Sequence, residues 1–291
     1  MTEVKRVFEI LDEALITIWR REGRYILCYF DAVSGRKIGI FDQEERKFVK
    51  EMPVDWVVTS AVFYGDELYA GKVNGYVIKL GEGKVVGRYG TFLRELVVHE
   101  DRLWALTTSD DLSYDTLIEV FDREEKPISR KDSEMVTWIS HGYAQWKKGP
   151  RFTITRFDFT KARAEEEILR GLSKCGYHLG EQLEVVDDRI FTSGPGDRIV
   201  AYSMKKRKEK EIYKCKRGEV VMGFYLIEAG EYLNLLVGGN SGTLALVKVR
   251  KDLKKIKVKE IKTGTSLIRP LVAGDDSLIE AFGSGEELEW G

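Results

Sequence analysis

A pair of residues recurs along the chain at a nearly constant interval. In each pair a large hydrophobic residue ends an apolar, strand-like segment, and a polar or turn-forming residue follows it. The seven pairs are Phe41-Asp42, Leu80-Gly81, Phe121-Asp122, Phe157-Asp158, Tyr202-Ser203, Val249-Arg250 and Trp290-Gly291. Successive pairs lie 36 to 47 residues apart, which is the period of four-stranded β-propeller blades. The period therefore predicts an all-β chain with seven repeats.

Each interval also contains enough strand-like segments for one four-stranded blade. Two apolar runs separated by a tight polar turn precede a pair, as in FYGDELYAG before Leu80, and a more polar run follows, as in KVVGRYG. Gly, Asp and Glu in such turns supply the positive φ or the side-chain hydrogen bonds that a hairpin needs. We therefore expect strands a, b, c and d in chain order. Residues 134–173 fit this pattern worst.

The two ends of the chain complement each other. The last interval has three strand-like runs and stops at Gly291, whereas the segment VKRVFEI (residues 4–10) precedes the first complete interval. We expect the N-terminal strand to complete the last blade as its fourth strand, because such closure removes exposed sheet edges. The prediction is a seven-bladed β-propeller of four-stranded antiparallel blades that forms a single domain over residues 1–291.

The repeats resemble known propeller families. The stretch LYAGKVNGYVIKL (residues 68–80) is similar to the blade core of quinoprotein-like (PQQ-type) repeats, and Phe41-Asp42, Phe121-Asp122 and Phe157-Asp158 stand where WD40 repeats place Trp-Asp. The Gly-His dipeptide and the strict Trp-Asp of WD40 repeats are absent from the sequence. No residues match a quinoprotein cofactor site. The resemblance implies the fold and a general tendency to bind partners, and it implies no cofactor.

Composition indicates the compartment and the source. Charged residues make up 33% of the chain, whereas Asn and Gln together number six, a pattern typical of hyperthermophile proteins. We expect an archaeal, thermophilic source. Cys28, Cys175 and Cys215 are widely separated and odd in number, which favours buried reduced thiols over disulfides or a zinc site. The sequence has no run of about 18 apolar residues and no apolar secretory signal, so we predict a cytoplasmic protein.

No motif in the sequence indicates catalysis. His99, His141 and His178 fall in different intervals, and neither a G-x-S-x-G elbow nor a Walker A lysine is present. The acid pairs Asp187-Asp188 and Asp275-Asp276 fall in predicted hairpin turns, where solvated turn residues are favoured over a general acid and base. We therefore expect no catalytic residue, no metal site and no cofactor.

One face of the predicted propeller carries the candidate partner-binding residues. Loops from strand d to the next strand a share this face with the b–c loops, and aromatic and arginine side chains there are typical of binding hot spots. The candidates are Asp55, Trp56, Lys72, Asn74, Arg94, Asp110, Asp111, Tyr114, Trp138, His178, Asp197, Asn240 and Arg269. The longest b–c loop is predicted at residues 107–115. Alternatively, Trp56 and Trp138 are core residues.

Two c–d hairpins on the opposite face are strongly basic. Their cationic residues are Lys205, Lys206, Arg207, Lys208 and Lys210 in the first, and Arg250, Lys251, Lys254, Lys255 and Lys257 in the second. If blades five and six are neighbours, the two hairpins form one positive patch, although the net charge of the chain is only −1. Such a patch suits RNA, DNA or an acidic protein. The alternative is a solvated, lysine-rich thermophile surface.

Three functions remain open at this point. The first is a non-catalytic protein-interaction scaffold in a multi-protein assembly, which requires only the surfaces described above. The second is small-molecule binding or hydrolysis at the central channel, which needs clustered Asp, Glu, Asn and His residues at one mouth. The third is a nucleic-acid-associated protein that uses the basic hairpins. We predict the first, with one or more protein partners, no membrane contact and a propeller that is itself monomeric.

Overall fold

In the computed structural model of this protein, every regular element among the described residues is a β-strand. The residues that the structure describes are 3–9, 15–32, 35–45, 47–109, 114–128, 134–140, 142–148, 151–173, 183–193, 196–262, 268–271 and 278–283. The strands are β1 (Glu3–Glu9), β2 (Leu15–Glu22), β3 (Tyr25–Ala32), β4 (Gly35–Asp42), β5 (Lys47–Val54), β6 (Val58–Tyr64), β7 (Glu67–Lys72), β8 (Tyr76–Lys79), β9 (Lys84–Arg88), β10 (Phe92–His99), β11 (Arg102–Thr108), β12 (Asp115–Glu119), β13 (Glu125–Ile128), β14 (Glu134–Ser140), β15 (Tyr143–Lys148), β16 (Arg151–Asp158), β17 (Arg163–Ser173), β18 (Leu183–Val186), β19 (Arg189–Thr192), β20 (Arg198–Ser203), β21 (Lys208–Lys214), β22 (Val221–Ala229), β23 (Tyr232–Gly239), β24 (Thr243–Arg250), β25 (Lys255–Lys262), β26 (Ile268–Leu271) and β27 (Leu278–Gly283).

The strands form six four-stranded sheets and one three-stranded sheet. We call the four-stranded sheets blades 1 to 6: β2–β5, β6–β9, β10–β13, β14–β17, β18–β21 and β22–β25. Within each blade the strands lie in chain order, as expected for a propeller repeat. The interval that fits the sequence pattern worst, residues 134–173, is a complete blade 4, with register irregularities between β16 and β17.

The chain divides into two compact units. One comprises Ile16–Phe41 and Phe48–Lys174 and holds blades 1 to 4; the other comprises Met1–Leu15, Asp42–Lys47 and Cys175–Gly291. The single-domain assignment over residues 1–291 stays a prediction. No helix with the length and apolar character of a membrane span is found in the described part of the chain.

The hydrophobic core lies between successive blades of a unit. Side chains of blades 2 and 3 share one cluster, which contains Val62, Tyr69, Val77, Tyr89, Leu93, Leu96, Leu103, Ala105 and Val120. Similar clusters join blades 1 and 2, blades 3 and 4, and blades 5 and 6. Each fully buried large side chain contributes about 1.5–3 kcal/mol to the stability of such a core, so blade-to-blade packing stabilises this fold.

The recurring hydrophobic–Asp pair stabilises the turn between strands c and d. Asp42 follows Phe41 at the end of β4, and its Oδ1 accepts a hydrogen bond from the Glu44 N–H at 2.9 Å. Asp158 ends β16 in the same way and accepts from the Lys161 N–H at 3.1 Å. The carboxylate satisfies backbone donors that the turn leaves unpaired. This explains why a polar residue follows the hydrophobic one in several repeats.

The expectation of seven complete blades is wrong for the described residues, which contain six. The remaining sheet has the strand order β1-β27-β26. Strand β1 is parallel to β27, with Glu3 opposite Leu278 and Glu9 opposite Gly283, and therefore it is not an antiparallel fourth strand. Strand β1 lies beside β27, which is the second strand of the last interval. In a blade whose strands lie in chain order, that position belongs to the third strand. The predicted third strand, ending at Trp290, lies outside the described residues.

Candidate functional site

Two sequence-predicted binding residues of blade 2 come together at one end of the blade. Trp56 lies in the loop between β5 and β6, and Lys72 ends β7, with its Nζ 4.8 Å from the centroid of the Trp56 ring. The Val73 N–H donates to the Val57 carbonyl at 3.2 Å, which ties the b–c turn to the loop that enters the blade. Val57 and Val73 are 40% and 37% exposed. The loops therefore present apolar side chains beside a cation.

Blade 3 repeats this arrangement at the start of its first strand. Phe92 begins β10 and is 40% exposed, and the Arg94 guanidinium carbon lies 5.8 Å from its ring centroid. The b–c turn of blade 2 reaches the loop into blade 3, because the Tyr89 N–H donates to the Gly75 carbonyl at 2.8 Å. We call Trp56, Val57, Lys72, Val73 and Phe92 the aromatic rim.

Arg94 also points into a buried polar network. Its Nε lies 3.4 Å from Oδ1 of Asp115, whose side chain is completely buried, and it donates to Thr108 Oγ1 at 3.3 Å. The other carboxylate oxygen of Asp115 accepts from the Val136 N–H of β14 at 3.3 Å. Arg94 thus has a structural role in addition to any contact with a partner. The sequence pattern does not predict Asp115 as a partner of Arg94.

The predicted b–c loop at residues 107–115 is shorter in the structure. Thr107 and Thr108 belong to β11, and Asp115 begins β12. Tyr114 closes the base of the loop, because its N–H donates to Ser109 Oγ at 3.1 Å. Asp110 and Asp111 lie outside the described residues, as does His178 of a later interval.

The remaining candidates on the first unit occupy the ends of strands or turns. Asp55 and Asn74 are exposed, and the Asn74 carbonyl accepts from Arg88 Nε at 3.4 Å. Trp138 lies in β14 with its backbone opposite Gln145.

The candidates on the second unit have local partners. Asp197 pairs with Arg198, with 2.8 Å between Oδ1 and Nε. Asn240 Oδ1 accepts from the Val220 N–H at 2.9 Å. Arg269 lies in β26. Asp197 therefore pairs with its neighbour in the chain, and Asn240 ties the turn between β23 and β24 to the loop before β22.

The two basic hairpins lie near each other. Lys205, Lys206, Arg207, Lys208 and Lys210 are exposed in and after the turn between β20 and β21, and Arg250, Lys254 and Lys257 are exposed around the turn between β24 and β25. A hydrogen bond from the Lys254 N–H lowers the pKa of Asp252, and the charges of Arg250 and Lys206 add to this effect. Lys206 of blade 5 is therefore close to the hairpin of blade 6. Lys251 is partly buried, and Lys255 begins β25.

Comparison with known proteins supports the fold class. No protein-family model matches the chain, and no curated protein matches it in sequence. Among solved structures it is similar to the computationally designed Ika8 protein, with a TM-score of 0.51 and 8% identity over 92% of this chain and 83% of that one.

It is also similar to dihydro-heme d1 dehydrogenase NirN in complex with DHE, at a TM-score of 0.51 and 14% identity over 83% of this chain. The match spans 57% of that NirN chain. NirN has a propeller-type fold, so the likeness supports an all-β propeller of small antiparallel sheets. At such low identities the likeness shows the fold alone.

The structure describes the side chains of one histidine, which stacks on an aromatic ring, and of two buried cysteines. The ring of His99 stacks on Phe159, with 4.0 Å between ring centroids and 14° between planes. Cys28 and Cys215 are buried and form no disulfide in the described structure, and burial raises the pKa of Cys215 to about 12, with the charges of Glu219 and Asp197 adding to the effect. Such a thiol is a poor nucleophile at neutral pH. Across the described ranges, no three His, Cys, Asp or Glu side chains are grouped as metal ligands.

Proposed function

We propose that the protein is a non-catalytic interaction scaffold that binds a partner protein through the aromatic rim of blades 2 and 3. The observation that carries the proposal is the exposure of three apolar side chains, Val57, Val73 and Phe92, beside two aromatic–cation pairs. Exposed apolar groups framed by polar residues are typical of protein–protein contact sites.

The composition of the rim suggests the chemistry of the partner. Lys72 lies against the Trp56 ring, and burying such a pair at an interface removes water from the cation and strengthens its attraction to the ring. An apolar partner surface with an acidic side chain would cover the valines and pair with Lys72. Trp is the residue type most enriched in hot spots, with Tyr and Arg. We therefore place the centre of the interface at Trp56.

The proposal is tested by capture of the partner from lysate of the source organism. Tagged wild type is compared with Val57→Asp/Val73→Asp and with the control Val85→Asp, which introduces a charge at a valine that is 52% exposed on β9. We expect a stoichiometric protein that survives nuclease to bind wild type and the Val85 variant and to be lost from the rim variant. Equal recovery of that protein by all three would overturn the rim assignment.

A second part of the proposal concerns the closure of the propeller and the repeat family to which it is related. We propose that the three-stranded sheet serves as a seventh blade, that β1 closes the ring and that the protein is a WD40-like or quinoprotein-like relative. The seven repeated pairs and the pairing of β1 with β27 support this. Deletion of residues 1–9 should lower the melting temperature, and an unchanged melting temperature would contradict closure.

The proposed scaffold is a monomeric, cytoplasmic protein of a thermophilic archaeon. Its composition, with 33% charged residues and few side-chain amides, supports the source. A dimer whose mass in sedimentation does not depend on concentration would contradict the monomer.

A second candidate function is nucleic-acid association through the basic hairpins. The nearness of Lys206 to Asp252 of the neighbouring hairpin supports one continuous positive surface, which would bind phosphates in a salt-dependent way. Asp252 and its ion pair with Arg250 neutralise part of that surface. Binding of a single-stranded RNA at low salt should be lost on Lys206→Glu/Lys255→Glu. Unchanged binding by that variant, or no binding by wild type, would remove this candidate.

A further inference from the structure

A polar cleft lies where the outer strand of blade 2 leads into blade 3. Its volume is about 490 Å³, within the range of small-molecule sites. Blade 2 contributes the end of β9 and the loop at Tyr89 and Gly90, and blade 3 contributes the faces of β11 and β12 and the start of β13. The lining residues are Arg88, Tyr89, Gly90, Thr107, Ser109, Tyr114, Thr116, Ile118, Arg123 and Glu125.

Two buried hydroxyls in this cleft lack partners. Thr107 of β11 and Thr116 of β12 stand opposite each other in the antiparallel register, so their side chains share one face of the blade. Their exposed fractions are 0% and 1%, and neither Oγ1 has a hydrogen-bond partner among the described residues. Buried polar groups in folded proteins are almost always hydrogen-bonded. The two hydroxyls therefore have unused hydrogen-bonding capacity in the lining of the cleft.

Two arginines supply positive charge at the same cleft. Arg123 extends towards β9, where its Nη2 would lie 2.9 Å from a Cβ placed on Gly87, and its guanidinium carbon is 5.7 Å from the centroid of the Tyr89 ring. Arg88 directly follows Gly87 in the sequence. In the described part of the chain neither arginine has an ion pair, and Glu125 is the one carboxylate that lines the cleft.

The Tyr89 hydroxyl is already committed, since it donates to the Val120 carbonyl at 2.6 Å. Besides Ser109, Tyr114 and Glu125, the cleft offers a ligand the guanidinium donors of two arginines and two threonine hydroxyls. Guanidinium groups favour phosphate and carboxylate oxygens, which they bind through charge-assisted hydrogen bonds. Hydroxyls both donate and accept, so they suit the hydroxyl groups of a small polar molecule.

We propose that this cleft is a binding site for a small oxyanion that carries hydroxyl groups, such as a phosphate monoester or a hydroxy acid. Arg88 and Arg123 hold the anionic group, and Thr107 and Thr116 bind the hydroxylated body. None of the five rim residues lines the cleft, and the site stands whether or not the rim binds a protein.

The test is calorimetric titration of the full chain with glycerol 3-phosphate, malate and inorganic phosphate as probes. Saturable binding of glycerol 3-phosphate or malate is expected, and the comparison of the two probes identifies the preferred oxyanion. Arg123→Gln should weaken binding about tenfold to a hundredfold, the usual effect of losing hydrogen bonds from a charged donor. Thr116→Val should also weaken it. Arg163→Gln is the control, because Arg163 is exposed on β17 outside the cleft.

Three results would overturn the proposal. The first is the absence of saturable binding of glycerol 3-phosphate and malate at millimolar concentration. The second is equal weakening by Arg163→Gln, which would indicate a general effect of charge. The third is unchanged binding in Arg123→Gln and Thr116→Val. If Thr116→Val fails to fold, Arg88→Gln replaces it, because Arg88 is exposed and its substitution leaves the core intact.

Discussion

The carboxylate of Asp115 is fully buried beside the guanidinium of Arg94, with 3.4 Å between Oδ1 and Nε. Both residues belong to blade 3, and Oδ2 of Asp115 accepts a hydrogen bond from the Val136 N–H of blade 4. The Asp115–Arg94 pair therefore links two strands of blade 3, and Asp115 also binds the first strand of blade 4. Buried charges persist in proteins when they are paired and hydrogen-bonded in this way.

Replacement of Asp115 by Ala is expected to lower the free energy of unfolding by about 3 kcal/mol, because it removes a buried carboxylate that pairs with Arg94 and accepts a hydrogen bond from Val136. The midpoint of urea unfolding measures the effect. Asp122→Ala is the matched control: Asp122 is exposed in the turn after β12, so its loss should change stability by less than about 0.5 kcal/mol. Similar losses of unfolding free energy in both variants would show that the Asp115–Arg94 pair does not stabilise blades 3 and 4.

The repeat of hydrophobic–polar pairs was sufficient to predict most of the blades. Its signal is local, because Asp42 and Asp158 accept hydrogen bonds from backbone groups two or three residues ahead. The pairing of β1 depends instead on which of several distant segments lies beside β27, and no local pattern decides that competition. Counting repeats therefore overestimated the number of complete blades.

Some contacts of the candidate site could likewise be predicted from the sequence, and others could not. Loop position was enough to bring Trp56 and Lys72 together, because the d–a loops and b–c turns share one end of a blade. The partner of Arg94 was missed because Asp115 is distant in sequence and reaches it through the β11–β12 register, which places Thr108 opposite Asp115. The sequence predicts a loop at residues 107–115, and a loop at Thr107 does not predict its pairing with Thr116 across two strands.

Gly90 is expected to tolerate no larger residue. Its φ is +69°, and an added Cβ would lie 2.7 Å from Thr107 Oγ1 and in contact with the Thr108 carbonyl. Gly90→Ala should destabilise the protein by about 1–3 kcal/mol through strain and the clash with backbone. Gly218→Ala is the control, because Gly218 also has a positive φ, +88°, but nothing lies within 4 Å of an added Cβ. If the two variants lower the melting temperature equally, the positive φ accounts for the whole effect and the clash at Gly90 contributes nothing.

Removal of the Thr116 hydroxyl is expected to stabilise the free protein. Thr116 Oγ1 is buried without a partner in the described structure, so Thr116→Val should raise the free energy of unfolding by about 1 kcal/mol, because it removes an unsatisfied polar group. Thr155 is the contrasting site, since its Oγ1 accepts from Trp146 Nε1 at 2.7 Å. Thr155→Val should lower stability by about the same amount. A loss of stability in both variants would mean that bound water already satisfies Thr116.

Burial of Cys215 predicts a loss of stability in alkaline solution. Its pKa is raised from 9.0 to about 12, first by burial and then by the charges of Glu219 and Asp197. A group whose pKa is higher in the folded state keeps its stabilising contribution below its unfolded pKa and loses it as the pH rises through the folded value. The contribution of Cys215 should therefore be constant below about pH 9 and decline from there towards pH 12.

The free energy of unfolding, measured against pH for wild type and Cys215→Ala, isolates this contribution. The difference between the two curves should be flat at neutral pH and should shrink above about pH 9, because the unfolded wild-type chain gains stability when its thiol ionises. Alkylation with iodoacetamide at pH 8, followed by peptide mapping, gives an independent measurement. Cys215 should react only after denaturation, since the thiol is buried and the thiolate is the reactive form. Rapid labelling of Cys215 in the native protein, or parallel stability curves up to pH 11, would contradict the raised pKa.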